Sequence, residues 1–181
     1  MKYILLLLAV LALMAMPAAA LNISVMAPSV IHAGEDLDVQ IFVGPGATNI
    51  SGIQTSISYD PAMFTFGHVT EGPLLSSSGG QTFFSAGGLG FGKITNIMGV
   101  ILGNVTASSP GTSATVTLHA VGAGRSTLTL SGTIIGSPNG TSISVSQVNA
   151  SIQVKEWDRF DLNHDGNVDI LDVILIAQAV R

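Results

Sequence analysis

The chain has 181 residues, no cysteine, and six basic against eleven acidic groups, so only 9% of it is charged and its net charge is −5, whereas an ordinary soluble domain is about 25% charged. The absence of cysteine excludes a disulfide framework, a thiolate zinc site and a cysteine nucleophile, and so few cations neutralise too few phosphates for nucleic-acid binding. At 47% hydrophobic residues the chain can nonetheless bury a core, which separates it from disordered sequences.

Residues 1–20 are expected to be a signal peptide. Lys2 supplies the positive start, Tyr3 to Met16 is unbroken apolar sequence, and Pro17-Ala18-Ala19-Ala20 offers small residues for cleavage before Leu21. Cleavage would leave no membrane span and place the protein outside the cell. Five of the eight asparagines, Asn22, Asn49, Asn104, Asn139 and Asn149, stand in Asn-X-Ser/Thr acceptor sites, where the Ser and Thr content would give about one or two.

Residues 21–154 form the first expected module. Apolar residues alternate at Leu37, Val39, Ile41 and Val43, at Ile53, Ile57 and Tyr59, at Ala114, Val116, Leu118 and Ala120, and at Val148, Ala150, Ile152 and Val154. A period of two places each run on one face of a strand. Between the runs lie breakers such as Gly44-Pro45-Gly46, Asp60-Pro61, Ser109-Pro110-Gly111 and Pro138-Asn139-Gly140. The fold class is therefore all-β, with about nine short strands in an antiparallel sandwich or jelly roll. This stretch holds only seven charges, Glu35, Asp36, Asp38, Asp60, Glu71, Lys93 and Arg125, and its polar face is filled by Ser, Thr, Gln and Asn.

Catalysis finds no foothold here. His32, His68 and His119 lie in separate segments with no metal-binding spacing. Glu35, Asp36 and Asp38 form one acidic cluster, whereas glycoside hydrolysis needs two carboxylates facing each other across a cleft. There is no Gly-x-Ser-x-Gly elbow and no phosphate loop. The expectation is a protein that is not an enzyme.

Residues 155–181 change character, with nine charges in 27 positions. Asp161-Leu162-Asn163-His164-Asp165-Gly166-Asn167-Val168-Asp169-Ile170-Leu171-Asp172 puts oxygen side chains at loop positions 1, 3, 5, 9 and 12 and glycine at position 6. That is the pattern of an EF-hand loop, in which alternating residues around a tight turn supply a hard cation with oxygen ligands. The expected ion is Ca2+. Asp161, Asn163 and Asp165 would ligate through side chains, Asn167 through its carbonyl, Asp169 directly or through water, and Asp172 from the following helix. Asp at position 12 stands where most such loops have the longer Glu. The next residues, Val173 to Val180, read as a short and almost wholly apolar helix that must pack on something.

The tail, Asp161 to Val180, resembles the calcium-binding repeat of dockerins, which carry two such repeats where this sequence has one. The resemblance implies calcium-dependent docking into a cohesin, with Ile170 and Leu171 at the positions that help set partner choice and Val173 and Ile174 beside them in the contact. The body is similar to a cohesin through "SVIHAGEDLDVQIFV", "ISGIQTSISYDPAMFTF", "VTEGPLL" and "GTSATVTLHAVGAGRSTLTLSG". That resemblance implies a nine-stranded jelly roll with a flat recognition sheet and no catalysis. The implied function is non-catalytic protein–protein assembly at the cell surface. Its partners would be cohesin- or dockerin-bearing proteins or a second copy of the chain, and the alternative is a carbohydrate-binding sandwich in a polysaccharide-degrading complex.

Overall fold

The structure, a computed structural model, describes residues 21–179. The expected signal peptide, residues 1–20, lies outside the described residues, as do Val180 and Arg181. Strands are β1 (Asn22–Met26), β2 (Val30–His32), β3 (Asp36–Val43), β4 (Gly52–Ser58), β5 (Phe64–Glu71), β6 (Gln81–Ser85) and β7 (Gly88–Gly90). They continue with β8 (Lys93–Leu102), β9 (Gly111–Ala120), β10 (Gly124–Gly136), β11 (Ser142–Ile143), β12 (Ser146–Val148) and β13 (Ala150–Lys155). Nine of them are five residues or longer, the number the sequence predicts, and the other four are pieces of two or three residues at sheet margins. Two helices complete the described residues, the one-turn α1 (Pro73–Ser76) and the ten-residue α2 (Ile170–Ala179).

Two sheets face each other. One has the order β12-β1-β3-β9-β5, and the other runs β2-β13-β10-β4-β8-β6 with β11 on β10 and β7 on β8. The period-two residues fill the space between them: Leu37, Val39, Ile41 and Val43 from one sheet are all at 0 or 1% exposure, as are Ile57, Leu128, Ile135 and Ile152 from the other. Each such side chain removed from water contributes about 1.5–3 kcal/mol, which fixes strand register, because a one-residue slip would turn a whole run outward.

The chain changes sheet where the alternation is interrupted. Ala27-Pro28-Ser29 carries it from β1 in one sheet to β2 in the other, and Asn149 carries it from β12 to β13. This corrects one expectation. Val148 shares its parity with Ala150, Ile152 and Val154, yet it lies on β12 before the switch and is 46% exposed, while Ile152 and Val154 are buried. The helix α1 was also not legible in periodicity, since it is a single turn opened by Pro73, with Leu74 and Leu75 plugging the sheet edge.

Strand registers define two poles. At one, the loop pole, lie Asn22, Val43, Gly52, Leu102, Gly111 and Gly136; at the other, the tail pole, lie His32, Ser58, Ala120, Gly124 and Lys155. The last strand, β13, runs toward the tail pole and delivers residues 156–179 there.

Candidate functional site

The loop Asp161–Asp172 is closed by two buried carboxylates. Asp161 is 3% and Asp172 is 2% exposed. Asp161 accepts the backbone N–H of Asp165 at 3.2 Å and of Gly166 at 2.9 Å, so the first position holds the turn that Gly166, at φ +89°, makes possible. Asp172 accepts N–H groups from Leu162 at 2.7 Å, Asn163 at 3.3 Å and Asp169 at 2.8 Å, tying the end of the loop to its beginning. The amide of Asp169, then those of Leu162 and Asn163, hold the Asp172 carboxyl below the usual carboxylate range, against the opposing effect of desolvation.

The same pair starts α2. Asp169 accepts the Leu171 N–H at 2.8 Å while Asp172 reaches back to the Asp169 N–H, a reciprocal pair of caps that satisfies amides the helix leaves free. Asp165 accepts from the Asn163 side chain at 2.8 Å and the Asn167 N–H at 2.9 Å. Among the described residues no three acidic or histidine side chains are drawn into one metal cage. The loop thus engages Asp161, Asn163, Asp165, Asp169 and Asp172 with its own backbone amides, while the side chain of Asn167 stays exposed. The donors are all oxygens and the turn is already folded, which fits a hard cation and no softer metal.

On α2 the expected contact residues are in solvent: Ile170 is 66%, Leu171 51%, Val173 55% and Ile174 44% exposed. Leu175 and Ile176 are exposed as well, so the helix presents an apolar surface on more than one side.

A second surface escaped sequence reasoning. On the outer face of the larger sheet, Phe83 of β6, Met98 and Val100 of β8, Gln54 of β4 and Ile134 of β10 stand side by side across the register. Met98, Val100, Ile134 and Gln54 line one shallow groove there. Ile134 faces out because a bulge between Ser131 and Ile134 adds a residue to β10, so that Leu130 and Ile135 both point inward. No periodicity scan finds an outward isoleucine made by a bulge. Nearby, Leu89 is 62% and Phe91 94% exposed on the β7–β8 hairpin.

Charge is segregated between the sheets. The body's two bases, Lys93 on β8 and Arg125 on β10, belong to the larger sheet, joined by Lys155 at the end of β13. On the smaller sheet, Asp36 meets His119 at 2.9 Å and Asp38 accepts the Thr117 hydroxyl at 2.6 Å. The three histidines are structural or solvent-facing: His32 stacks on Trp157, His119 pairs with Asp36, and His68 is exposed.

The tail is fastened to the sandwich. Trp157 donates its indole N–H to the Ala33 carbonyl at 3.1 Å and lies between His32 of β2 and His164 of the loop, with ring centroids 3.9 and 4.7 Å away. This contact is not visible in the sequence, because the two histidines that cover Trp157 lie far from each other in the chain, one before it and one after it.

A family model for the Cohesin domain matches residues 21–154. Among solved structures, the chain is similar to the cohesin module of a family 33 glycoside hydrolase from Clostridium perfringens, at 15% identity over 76% of this chain and 98% of that one, with a TM-score of 0.62. It is similar to a non-cellulosomal cohesin from the archaeon Archaeoglobus fulgidus, at 21% identity over 81% and 99% of the two chains, with a TM-score of 0.59. A Clostridium thermocellum structure described as a type I cohesin–dockerin complex matches at 12% identity over 76% and 95%, with a TM-score of 0.62. Comparison with curated proteins returned no match. No helix among the described residues is long and apolar enough to cross a membrane.

Proposed function

The chain belongs to the Cohesin domain family, a family of protein–protein interaction modules, and from that premise we propose that it is an exported, non-catalytic connector with two docking elements. The sandwich receives a dockerin-type partner on the outer face of its larger sheet. The observation that carries this is the strip formed by Phe83, Met98, Val100 and Ile134, an apolar surface on a regular, hydrogen-bonded sheet that the fold itself leaves uncovered. Lys93, Arg125 and Lys155 lie on the same sheet toward the tail pole and favour a partner that carries acidic groups to that side of an apolar helix.

The second element is the tail, residues 155–181, read as a single dockerin-like repeat. Ca2+ would be held by Asp161, Asn163, Asp165, the Asn167 carbonyl, Asp169 and Asp172, and would supply charge neutralisation where carboxylates crowd. The residues' own part is to preform the turn, cap α2 and present Ile170, Leu171, Val173 and Ile174 to a cohesin-type face on another chain. The aromatics offer a polysaccharide little: Trp157 is covered on both faces by histidines, which leaves Phe83 and Phe91 as the well-exposed rings of the sandwich.

The test is binding by residues 21–181, immobilised and presented with dockerin-bearing and cohesin-bearing proteins of the same secretome, with calcium and with chelator. Capture of dockerin-bearing chains that is lost in Met98→Asp supports the sheet face, and capture of cohesin-bearing chains that is lost in chelator supports the tail. Retention on insoluble polysaccharide without capture of either class overturns the connector in favour of carbohydrate binding.

A further inference from the structure

The fold gathers most of the asparagine acceptor sites at one end. Asn22 opens β1, Asn49 lies between β3 and β4, Asn104 between β8 and β9, and Asn139 between β10 and β11, and every one of these positions is at the loop pole. The connections touch: Ile50 and Ala107 form a backbone bridge between two of them. Ser109 accepts the Ala47 N–H at 2.9 Å, and the Ser51 N–H donates to the Gly136 carbonyl at 2.8 Å, drawing the β10–β11 turn alongside.

Composition sharpens the asymmetry. The three asparagines outside acceptor sites, Asn96, Asn163 and Asn167, lie on β8 and in the tail loop. The sandwich's connections at the tail pole, residues 33–35, 59–63, 86–87, 91–92 and 121–123, contain no asparagine at all, and neither does β7 between two of them. Polar turns at both poles would use asparagine for its turn-forming ability alone, so a purely conformational role does not account for its confinement to one end within Asn-X-Ser/Thr.

Exposure divides the five sites. Asn49, Asn104 and Asn139 are exposed in connections. Asn22 is half-buried, with its side-chain oxygen packed over the backbone of Gly44. Asn149 accepts the Leu130 N–H through its side-chain oxygen at 3.2 Å, which commits its carboxamide to the point where the chain changes sheet.

We propose that Asn49, Asn104 and Asn139 are N-glycosylation acceptors and that the loop pole is a glycan-bearing cap. The proposal goes beyond the connector reading and depends on export alone. The co-reactant is a lipid-phosphate-linked oligosaccharide brought by a membrane transferase. The asparagine carboxamide nitrogen bonds to C1 of the first sugar, the C1–oxygen bond to phosphate breaks, the lipid phosphate leaves with the electron pair, and one amide proton passes to a base of the transferase. Glycans so placed hydrate a chain with few charges at the end opposite the tail loop and α2.

The test is glycopeptide mapping of the mature chain purified from the medium of its source organism. Sugar adducts on the Asn49, Asn104 and Asn139 peptides, with Asn22 and Asn149 bare, are expected. Unmodified asparagine at two or more of the three, or a glycan on Asn149, overturns the assignment. A variant carrying Asn49→Asp, Asn104→Asp and Asn139→Asp, secreted by the same organism, keeps its thermal midpoint and loses the whole adduct mass; adduct retained in that variant overturns the loop-pole cap.

Discussion

The indole of Trp157 lies on the imidazole of His32 with ring centroids 3.9 Å apart and planes 14° from parallel. His164 covers the other face at 4.7 Å and 12°. One of these histidines belongs to the sandwich and the other to the loop of residues 161–172, so the indole is a bracket between a module poor in charge and one rich in it.

Trp157 is the only tryptophan in the chain, so its emission reports on this bracket alone. If calcium orders residues 161–172, chelator is expected to shift and broaden the tryptophan emission, and re-addition of calcium to restore it. Each stacked aromatic pair adds about 0.5–1.5 kcal/mol beyond its buried area. Trp157→Ala is therefore expected to release the tail, seen as faster proteolysis after residue 155, while the sandwich keeps its denaturant midpoint. An emission spectrum indifferent to calcium would show that the loop and the bracket are uncoupled.

The loop predicts its own sensitivity to substitution. Asp161 and Asp172 are buried and hold five backbone N–H groups between them, so Asp161→Ala and Asp172→Ala each strand amides as well as removing a proposed calcium ligand. An unsatisfied buried group costs about 1–3 kcal/mol. Asp169→Ala removes a proposed calcium ligand and an exposed helix cap, for which about 1 kcal/mol is usual. A site that binds calcium only when folded gains about 2.7 kcal/mol at a hundred times its Kd. Titration of the tail's helical signal with calcium is expected to weaken in all three variants, and the calcium-free tail is expected to lose most order in the first two.

Much of this was legible in the sequence, and the limits are physical. The core could be read because alternation at Leu37 to Val43 and Ala114 to Ala120 is the direct imprint of a strand with one dry face. The tight turn at Gly166 could be read because its signal, a glycine among closely spaced Asp and Asn residues, is local. The sheet switch after Val148 and the outward turn of Ile134 could not, since both depend on a single residue that resets parity without altering composition. The bracket on Trp157 was hidden for a different reason: His32 and His164 lie 132 positions apart, and only β13 pairing with β2 brings them to one indole.

Two isoleucines on adjacent strands of the larger sheet, Ile57 of β4 and Ile134 of β10, test which face does what. Ile57 is 0% exposed between the sheets and Ile134 is 52% exposed outside. Ile57→Ala leaves a cavity in a close-packed core and is expected to lower stability by about 2–5 kcal/mol. Ile134→Ser, away from the core, is expected to stay within about 0.5 kcal/mol of the parent. Urea unfolding separates the two. In partner binding the order reverses, with Ile134→Ser weakening capture and the folded fraction of Ile57→Ala retaining it.

Two glycines with nearly the same backbone angle separate conformational strain from crowding. Gly87 has φ +83° and Gly166 has φ +89°, so alanine at either position incurs the left-handed penalty of roughly 1–2 kcal/mol. At Gly166 a Cβ would meet nothing within 4 Å, and Gly166→Ala is expected to cost that much and no more. At Gly87 the Cβ would press into the Thr95 carbonyl oxygen and come within 3.0 Å of Asn96 and Ile97 backbone atoms, all on the strand that carries Met98. Gly87→Ala therefore has to displace β8 or open the β7–β8 hairpin that bears Leu89 and Phe91. The expected outcome is a larger loss of stability than in Gly166→Ala, accompanied by weaker partner capture, because the displaced strand is the one that builds the apolar strip. Equal losses in the two variants, measured by urea midpoint, would mean that the hairpin yields freely and that its close approach to β8 does not shape the face.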